Sequence, residues 1–228
     1  MADTYFLPAI VTTDKKHLDK LKEAEKIRIT KVSLFFTGLN AEQREKFYEV
    51  LQRSTIREVP FAHLRSDTSP WEIDFLIRKY NTKKFNLHTQ REYPITHNLS
   101  LYKDSLFLEN TYYAYDEEEL RNYSGLCLDF AHLEGQKKIK DNNYKFNMDI
   151  VARYPCGCAH VNGIAEKPFW NEIEKRFQHD THFIHDKHEL NYLSDYQQYI
   201  PAVSAMEVEN TLSEQLEMIK YLQNFLRN

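Results

Sequence analysis

Glycine is scarce in this sequence, with only 5 among 228 residues. That leaves no room for the glycine-rich loops that cradle nucleotide phosphates. Cysteine is scarcer still, and its odd count of 3 does not make a disulfide framework. No uninterrupted apolar run approaches the roughly 20 residues a membrane-spanning helix needs. There is no run of Lys and Arg, and the formal net charge is −4 with a pI near 6.2, so no overall field draws the chain to nucleic acid. No stretch rich in Pro, Gly or Ser divides the chain. The opening segment, MADTYFLPAIVTTDKK, lacks a basic start followed by a long apolar stretch and a small-residue cleavage site. The expectation is a cytoplasmic protein with free thiols.

What the sequence does have is apolar and aromatic material. Hydrophobic residues make up 42%, with 15 Tyr and 14 Phe, enough for a full core. The length suits one domain over 1–228, since β/α barrels of roughly 200–250 residues count as one. Short apolar runs alternate with amphipathic stretches. The runs fall at 6–11, 31–36, 59–64, 84–88, 106–109, 125–130, 156–161 and 203–208. Helical patterns lie at 14–25, 41–54, 69–80, 116–122, 135–149, 167–178 and 211–227. Asn40, and Ser69 followed by Pro70, are sound helix starts. Eight strands alternating with helices predict an α/β fold, a compact (β/α)8 TIM barrel, with an open doubly wound sheet as the alternative. The stretch 88–106 has little helical period, so the helix after the fourth strand is expected to be short or missing.

The strand ends carry the chemistry. His63 ends VPFAH, His88 ends KKFNLH, Glu109 ends SLFLE, Asp129 ends GLCLD, His160 ends CGCAH, and Glu207 ends VSAME. In a barrel these ends share one mouth. A carboxylate closing an apolar strand is costly unless paired or metal-bound, so three carboxylates and three histidines together point to a divalent cation. The strand period of two adds that Phe107 and Ser105 should face inward with Glu109, and Cys158 and Cys156 with His160. Those cysteines read as interior fillers, since only two thiols are in reach of one another. His132 lies three residues past Asp129, placed to ligate or to bind a substrate hydroxyl. The segment HDTHFIHDKHEL, 179–190, reads either as a solvated lid or as a further metal site, with Asp186 and His188 as the D-x-H pair and His182 and His185 as alternates. His17 and His97 look like ordinary surface residues.

At these strand ends the sequence resembles the xylose-isomerase-like barrel superfamily, which holds sugar isomerases and epimerases and the repair enzyme endonuclease IV. LFLENTYY resembles its fifth-strand segment, LCLDFAH its sixth-strand D-x-x-H, CAHVNG its seventh-strand His-x-Asn, and SAMEVENTLSEQLEMIKYL its eighth strand and last helix. The resemblance spans residues 57–227. In the epimerase branch it implies one divalent ion, usually manganese, on Glu109, Asp129, His160 and Glu207, with Glu209 as fallback for the last. Glu109 and Glu207 would then be the catalytic pair, moving a proton between adjacent carbons of a sugar or sugar phosphate. In the endonuclease IV branch it implies up to three zinc ions. One would sit on His63, His88 and Glu109, a second on Glu109, Asp129, His160 and Glu207, and a third on His132, Asp186 and His188.

The chain departs from both patterns. Glu166 stands where the epimerase pattern has Arg, and HELNYLSDY replaces the Gly-Glu-Gly loop of the endonuclease pattern. The intervals between His63 and His88 and between Glu109 and Asp129 are also shorter than in the repair enzyme. The leading expectation is a metal-dependent isomerase or epimerase acting on a small sugar or sugar phosphate. A polynuclear phosphoesterase is the alternative, with nucleic acid disfavoured as substrate and no membrane role. A third reading is a non-catalytic metal-binding or ligand-binding barrel, because the shortened fourth unit leaves flank that a protein partner or a second copy could cover.

Overall fold

Pro8 interrupts the first apolar run, and the barrel closes around that interruption. A computed structural model describes residues 5–172 and 175–227. Strands β1 (Tyr5–Leu7) and β2 (Ala9–Val11) flank Pro8, whose ring leaves no N–H to donate. They are followed by β3 (Ser33–Phe35), β4 (Phe61–His63), β5 (Lys84–Leu87), β6 (Leu106–Glu109), β7 (Leu126–Asp129), β8 (Cys156–Val161), the hairpin strands β9 (Gly163–Asn171) and β10 (Arg176–Thr181), and β11 (Val203–Met206). The parallel sheet has 9 strands in the order β1-β11-β8-β7-β6-β5-β4-β3-β2. Its two ends are β1 and β2, continuous in sequence through Pro8, so the ring has eight positions and is nearly closed. Gln215 of α7 (Leu212–Phe225) covers the seam. Its Oε1 accepts from the Ala9 N–H at 2.7 Å, and its Nε2 donates to the Ala9 carbonyl at 3.1 Å.

Alternation sorts each strand into two faces. Leu7, Val11, Phe35, Phe61, Phe107, Cys127, Cys158 and Ala205 fill the barrel interior. The other face packs against the helices. These are α1 (His17–Lys26), α2 (Ala41–Arg53), α3 (Pro70–Tyr80), the single turn α4 (Glu117–Leu120), α5 (Phe130–Ile139), α6 (Asn143–Arg153) and α7. Asn40 and Gln43 form a reciprocal cap on α2, and at the start of α3 Glu72 accepts from the Ser69 N–H and hydroxyl. A buried ion pair joins the two helices, with Arg44 Nε donating to Glu72 Oε2 at 2.7 Å and its Nη1 to Asp67 Oδ1 at 2.9 Å. The fourth unit holds only the 3-10 helix Ser100–Ser105, as its weak helical period predicts.

Four expectations are corrected. The helix read over 135–149 is two helices, α5 and α6, because Lys140 ends the first in the left-handed conformation at φ 56. The helix read over 167–178 is the antiparallel hairpin β9–β10. Phe169, Trp170 and Phe177 in it stay exposed, so no core stripe existed for a helix to bury. Residues 173–174 of that span lie outside the described residues. Cys156 faces the outer helical layer, because the β7–β8 register shifts between Leu126 and Cys127 and spends Gly157 as the extra residue. A Cβ on Gly157 would sit 1.9 Å from the Phe107 ring, so the bulge needs glycine there. Ser105 ends the 3-10 helix and does not belong to β6. No helix among the described residues is long and apolar enough to cross a membrane.

Candidate metal centre

Each site residue reaches the mouth because it occupies the last inward position of its strand or the next one. His63 follows inward Phe61, Glu109 follows Phe107, Asp129 follows Cys127, His160 follows Cys158, and Glu207 follows Ala205. His88 stands two residues past inward Asn86. Three overlapping groups result: His63, His88 and Glu109; Glu109, Asp129 and His132; Asp129, His160 and Glu207. Within each group the ligand-capable atoms lie within 4.8 Å of one another. Glu109 and Asp129 each belong to two groups.

The individual contacts are short. Glu109 Oε2 lies 2.9 Å from His63 Nε2, and its Oε1 lies 3.4 Å from His88 Nε2 and 3.6 Å from His160 Nδ1. His160 Nδ1 is 3.1 Å from Glu207 Oε2 and 3.9 Å from Asp129 Oδ2. His63 Nδ1 lies 2.8 Å from the Leu64 carbonyl, His132 Nδ1 3.0 Å from the Asn110 carbonyl, and His182 Nδ1 3.1 Å from the Glu207 carbonyl. A carbonyl can only accept, so in all three rings Nδ1 carries a proton, which leaves Nε2 as the atom a metal ion would take in place of a proton. That is how metal-ligating imidazoles are commonly oriented. His160 is fully buried; its Nδ1 pairs with Glu207, while its Nε2 has no hydrogen-bond partner among the described residues.

The D-x-x-H spacing has a local cause. Asp129 is the N-cap of α5, and its Oδ1 accepts from the His132 backbone N–H at 2.8 Å. The cap folds the first helical turn back so that His132 faces the same mouth. Asn110, next to Glu109, accepts from the Asp129 N–H and donates to the Asp129 carbonyl, both at 2.8 Å. It thereby clamps the ends of β6 and β7 in register. Asn86 donates to Glu109 Oε2 at 2.5 Å, and Asn162 donates to Asp129 Oδ2 at 2.9 Å.

Burial and charge act against each other here. Burial pushes the Asp129 carboxyl up to about 6, with Glu207 adding to the rise against the pull of His132. For Glu109, burial is outweighed by His88, His160 and His63, and its carboxyl lies well below the usual range. For Glu207, burial is outweighed by His160 and His182, and its carboxyl falls to about 2. Burial would also depress His160 and His132. Glu109 and Glu207 nevertheless raise His160 to about 9, and Asp129 and Asp180 raise His132 to about 10. The carboxylates therefore hold their charge against protonated imidazoles, the arrangement a divalent cation would replace.

Asp186 and His188 are not at this site. Both are exposed, and Asp186 caps the 3-10 helix Lys187–Tyr199, its Oδ1 accepting from the His188 N–H at 2.9 Å and lying 2.6 Å from the ring Nδ1. The pair that reaches the mouth is the earlier D-x-H of the same segment, Asp180 and His182. Asp180 Oδ2 lies 3.8 Å from His132 Nε2. The Tyr112 hydroxyl donates to Asp180 Oδ1, and Gln178 Nε2 donates to its Oδ2 at 3.1 Å. His182 feels the charges of Glu207, Asp180 and Asp129, which raise it above its ordinary value against the effect of burial. Glu209, the fallback for Glu207, instead accepts from the Thr13 hydroxyl at 3.0 Å. Sequence reasoning missed Asp180, Asn86, Asn110, Asn162 and Tyr112. Asn86 and Asn162 had a usable signal, two positions from His88 and His160 and so on the same inward face.

No protein family matches the chain, and no curated protein matches it. Among solved structures it is similar to a xylose isomerase-like TIM barrel protein from Mycobacterium smegmatis, crystallised in complex with magnesium. The two share 10% identity over 92% of this chain and 87% of that one, with a TM-score of 0.47.

Proposed function

We propose that this barrel is a metal-dependent hydrolase of small phosphate esters, using two or three divalent ions at its mouth. The observation that carries the reading is the sharing of ligands. Glu109 and Asp129 each bridge two candidate groups, as expected where ions sit side by side. His63, His88 and Glu109 would hold one ion, Glu109, Asp129, His160 and Glu207 a second, and Asp129 and His132 a third, beside Asp180, whose Oδ2 lies 3.8 Å from His132 Nε2. The mixture of imidazoles and carboxylates suits zinc or manganese better than magnesium. Such ions, when bound, deprotonate a water at neutral pH and neutralise charge on phosphate oxygens.

The chain's own residues set up that chemistry. Asn86, Asn110 and Asn162 fix the positions of Glu109 and Asp129, and Tyr112 fixes Asp180. The buried walls hold bulk water off, which strengthens every charge interaction at the mouth. The test is elemental analysis of purified protein together with a panel of phosphate esters. Two or three ions per chain, and hydrolysis lost with a chelator and restored by metal, are expected. One ion per chain with no ester cleaved would refute the reading.

A second reading has its own observation. Glu109 and Glu207 both approach His160 Nδ1, at 3.6 and 3.1 Å, so two carboxylates could flank one sugar carbon and move its proton. This isomerase reading uses a single ion and leaves His63, His88, His132, Asp180 and His182 without a ligand role. Exchange of a carbon-bound hydrogen with deuterated water across a set of ketoses and their phosphates would establish it.

A further inference from the structure

A cavity of ≈ 120 Å³ opens beside His63 and His88. That is space for several waters, enough for a carboxylate or a phosphate group. Leu64, Leu87 and the ring of Tyr93 supply apolar lining, and the Tyr93 ring centroid lies 5.1 Å from that of His88. Arg65 supplies the charged lining. Its Nε donates to Asp67 Oδ1 at 3.1 Å and its Nη1 to the Thr37 carbonyl at 2.7 Å. Nη2 has no hydrogen-bond partner among the described residues. Held at two nitrogens, the guanidinium presents its remaining edge without further loss of side-chain freedom. Asp67 does not serve Arg65 alone, because it also accepts from Arg44 Nη1 at 2.9 Å.

A donor edge next to a cluster suited to phosphate, across a space of a few atoms, fits a short molecule charged at both ends. We propose that this cavity is a specificity subsite for a second anionic group on a small phosphate ester, with Arg65 Nη2 donating to it. The proposal rests on the phosphoesterase reading of the neighbouring cluster. It limits the substrate class to compact esters that carry a carboxylate or another phosphate a few bonds from the scissile one.

The test is calorimetric binding to the metal-loaded protein of two matched probes, 3-phosphoglycerate and glycerol 3-phosphate, which differ in a carboxylate against a hydroxymethyl group. A charge-assisted hydrogen bond predicts about tenfold tighter binding of the carboxylate-bearing ester. Arg65→Gln should erase that preference and Arg65→Lys should keep part of it, with metal content and melting temperature measured on each variant to show that it is folded. Equal binding of the two esters by the unaltered protein would overturn the proposal, and so would a preference that survives Arg65→Gln. Because the readout is affinity, the two readings fail separately. Ester hydrolysis without the preference refutes the subsite alone, and an Arg65-dependent preference without hydrolysis of any ester refutes the phosphoesterase reading alone.

Discussion

Asp129 shows how much one side chain does at this mouth. Its Oδ1 caps α5 while its Oδ2 faces His132, His160 and Asn162. Substituting it would disturb a helix start and a ligand set together, so it is a poor probe of chemistry. Glu109 is a better one, since it ends β6 and caps nothing. Glu109→Gln keeps the shape and the Asn86 contact but removes the charge shared by two candidate ions. Turnover is expected to fall by about 10³-fold or more, with the circular dichroism spectrum unchanged; a loss of only a few-fold would place Glu109 outside the ligand set. Asn162 touches Asp129 and Glu207, the latter at 3.5 Å. Asn162→Ala should weaken metal binding by about 10- to 100-fold without abolishing it, as loss of an orienting partner does. Titration with a chromophoric chelator in competition would measure this.

At the scale of elements, the barrel is held by polar joints between its helices as well as by apolar packing. Arg44 on α2 and Glu72 on α3 have side chains 0% and 3% exposed, and Glu72 also accepts from the Tyr48 hydroxyl at 3.0 Å. Burial would raise the Glu72 carboxyl, but Arg44 and the Ser69 N–H outweigh it and hold it below its ordinary 4.5. A carboxyl depressed by folding adds stability that is fully present above its unfolded value and is lost as pH falls through its folded one. The acid limb of the stability profile should therefore steepen below about pH 4.5, the ordinary glutamate value. Glu72→Gln should cost about 1–3 kcal/mol at neutral pH, because it leaves Asp67 as the carboxylate still paired with the buried Arg44 guanidinium, and should flatten that limb. Urea unfolding at several pH values would show both effects; an unchanged acid limb would remove Glu72 from the account.

The molecule as a whole converges on its mouth. The candidate ligands come from six strands or the positions just after them, from the first turn of α5 and from the β10 hairpin. A cation held by all of them ties together strands distant in sequence, and binding only to the folded state stabilises it by mass action. At free metal about a thousandfold above Kd, that amounts to about 4 kcal/mol. For a chain of this size it corresponds to a melting temperature higher by about 8–16 °C. Calorimetric scans with and without chelator should show this shift, and Glu109→Gln should lose most of it. No shift on chelation would mean that the mouth holds no ion tightly.

The sequence alone determined the barrel and most of its rim. Inward and outward residues alternate by a local rule, so a polar residue closing an apolar strand announces itself, as His63, Glu109, Asp129 and His160 do. Contacts across the chain follow no such rule. Two D-x-H pairs lie six residues apart in 179–190, alike in local chemistry. Only the path of the β9–β10 hairpin carries Asp180 and His182 to His132 and turns Asp186 into a helix cap. The bulge at Gly157 likewise sends Cys156 outward against the alternation, because the register there is set by the neighbouring strand and the Phe107 ring. Tertiary structure decided whatever depends on which distant segment comes alongside, and the period of two decided the rest.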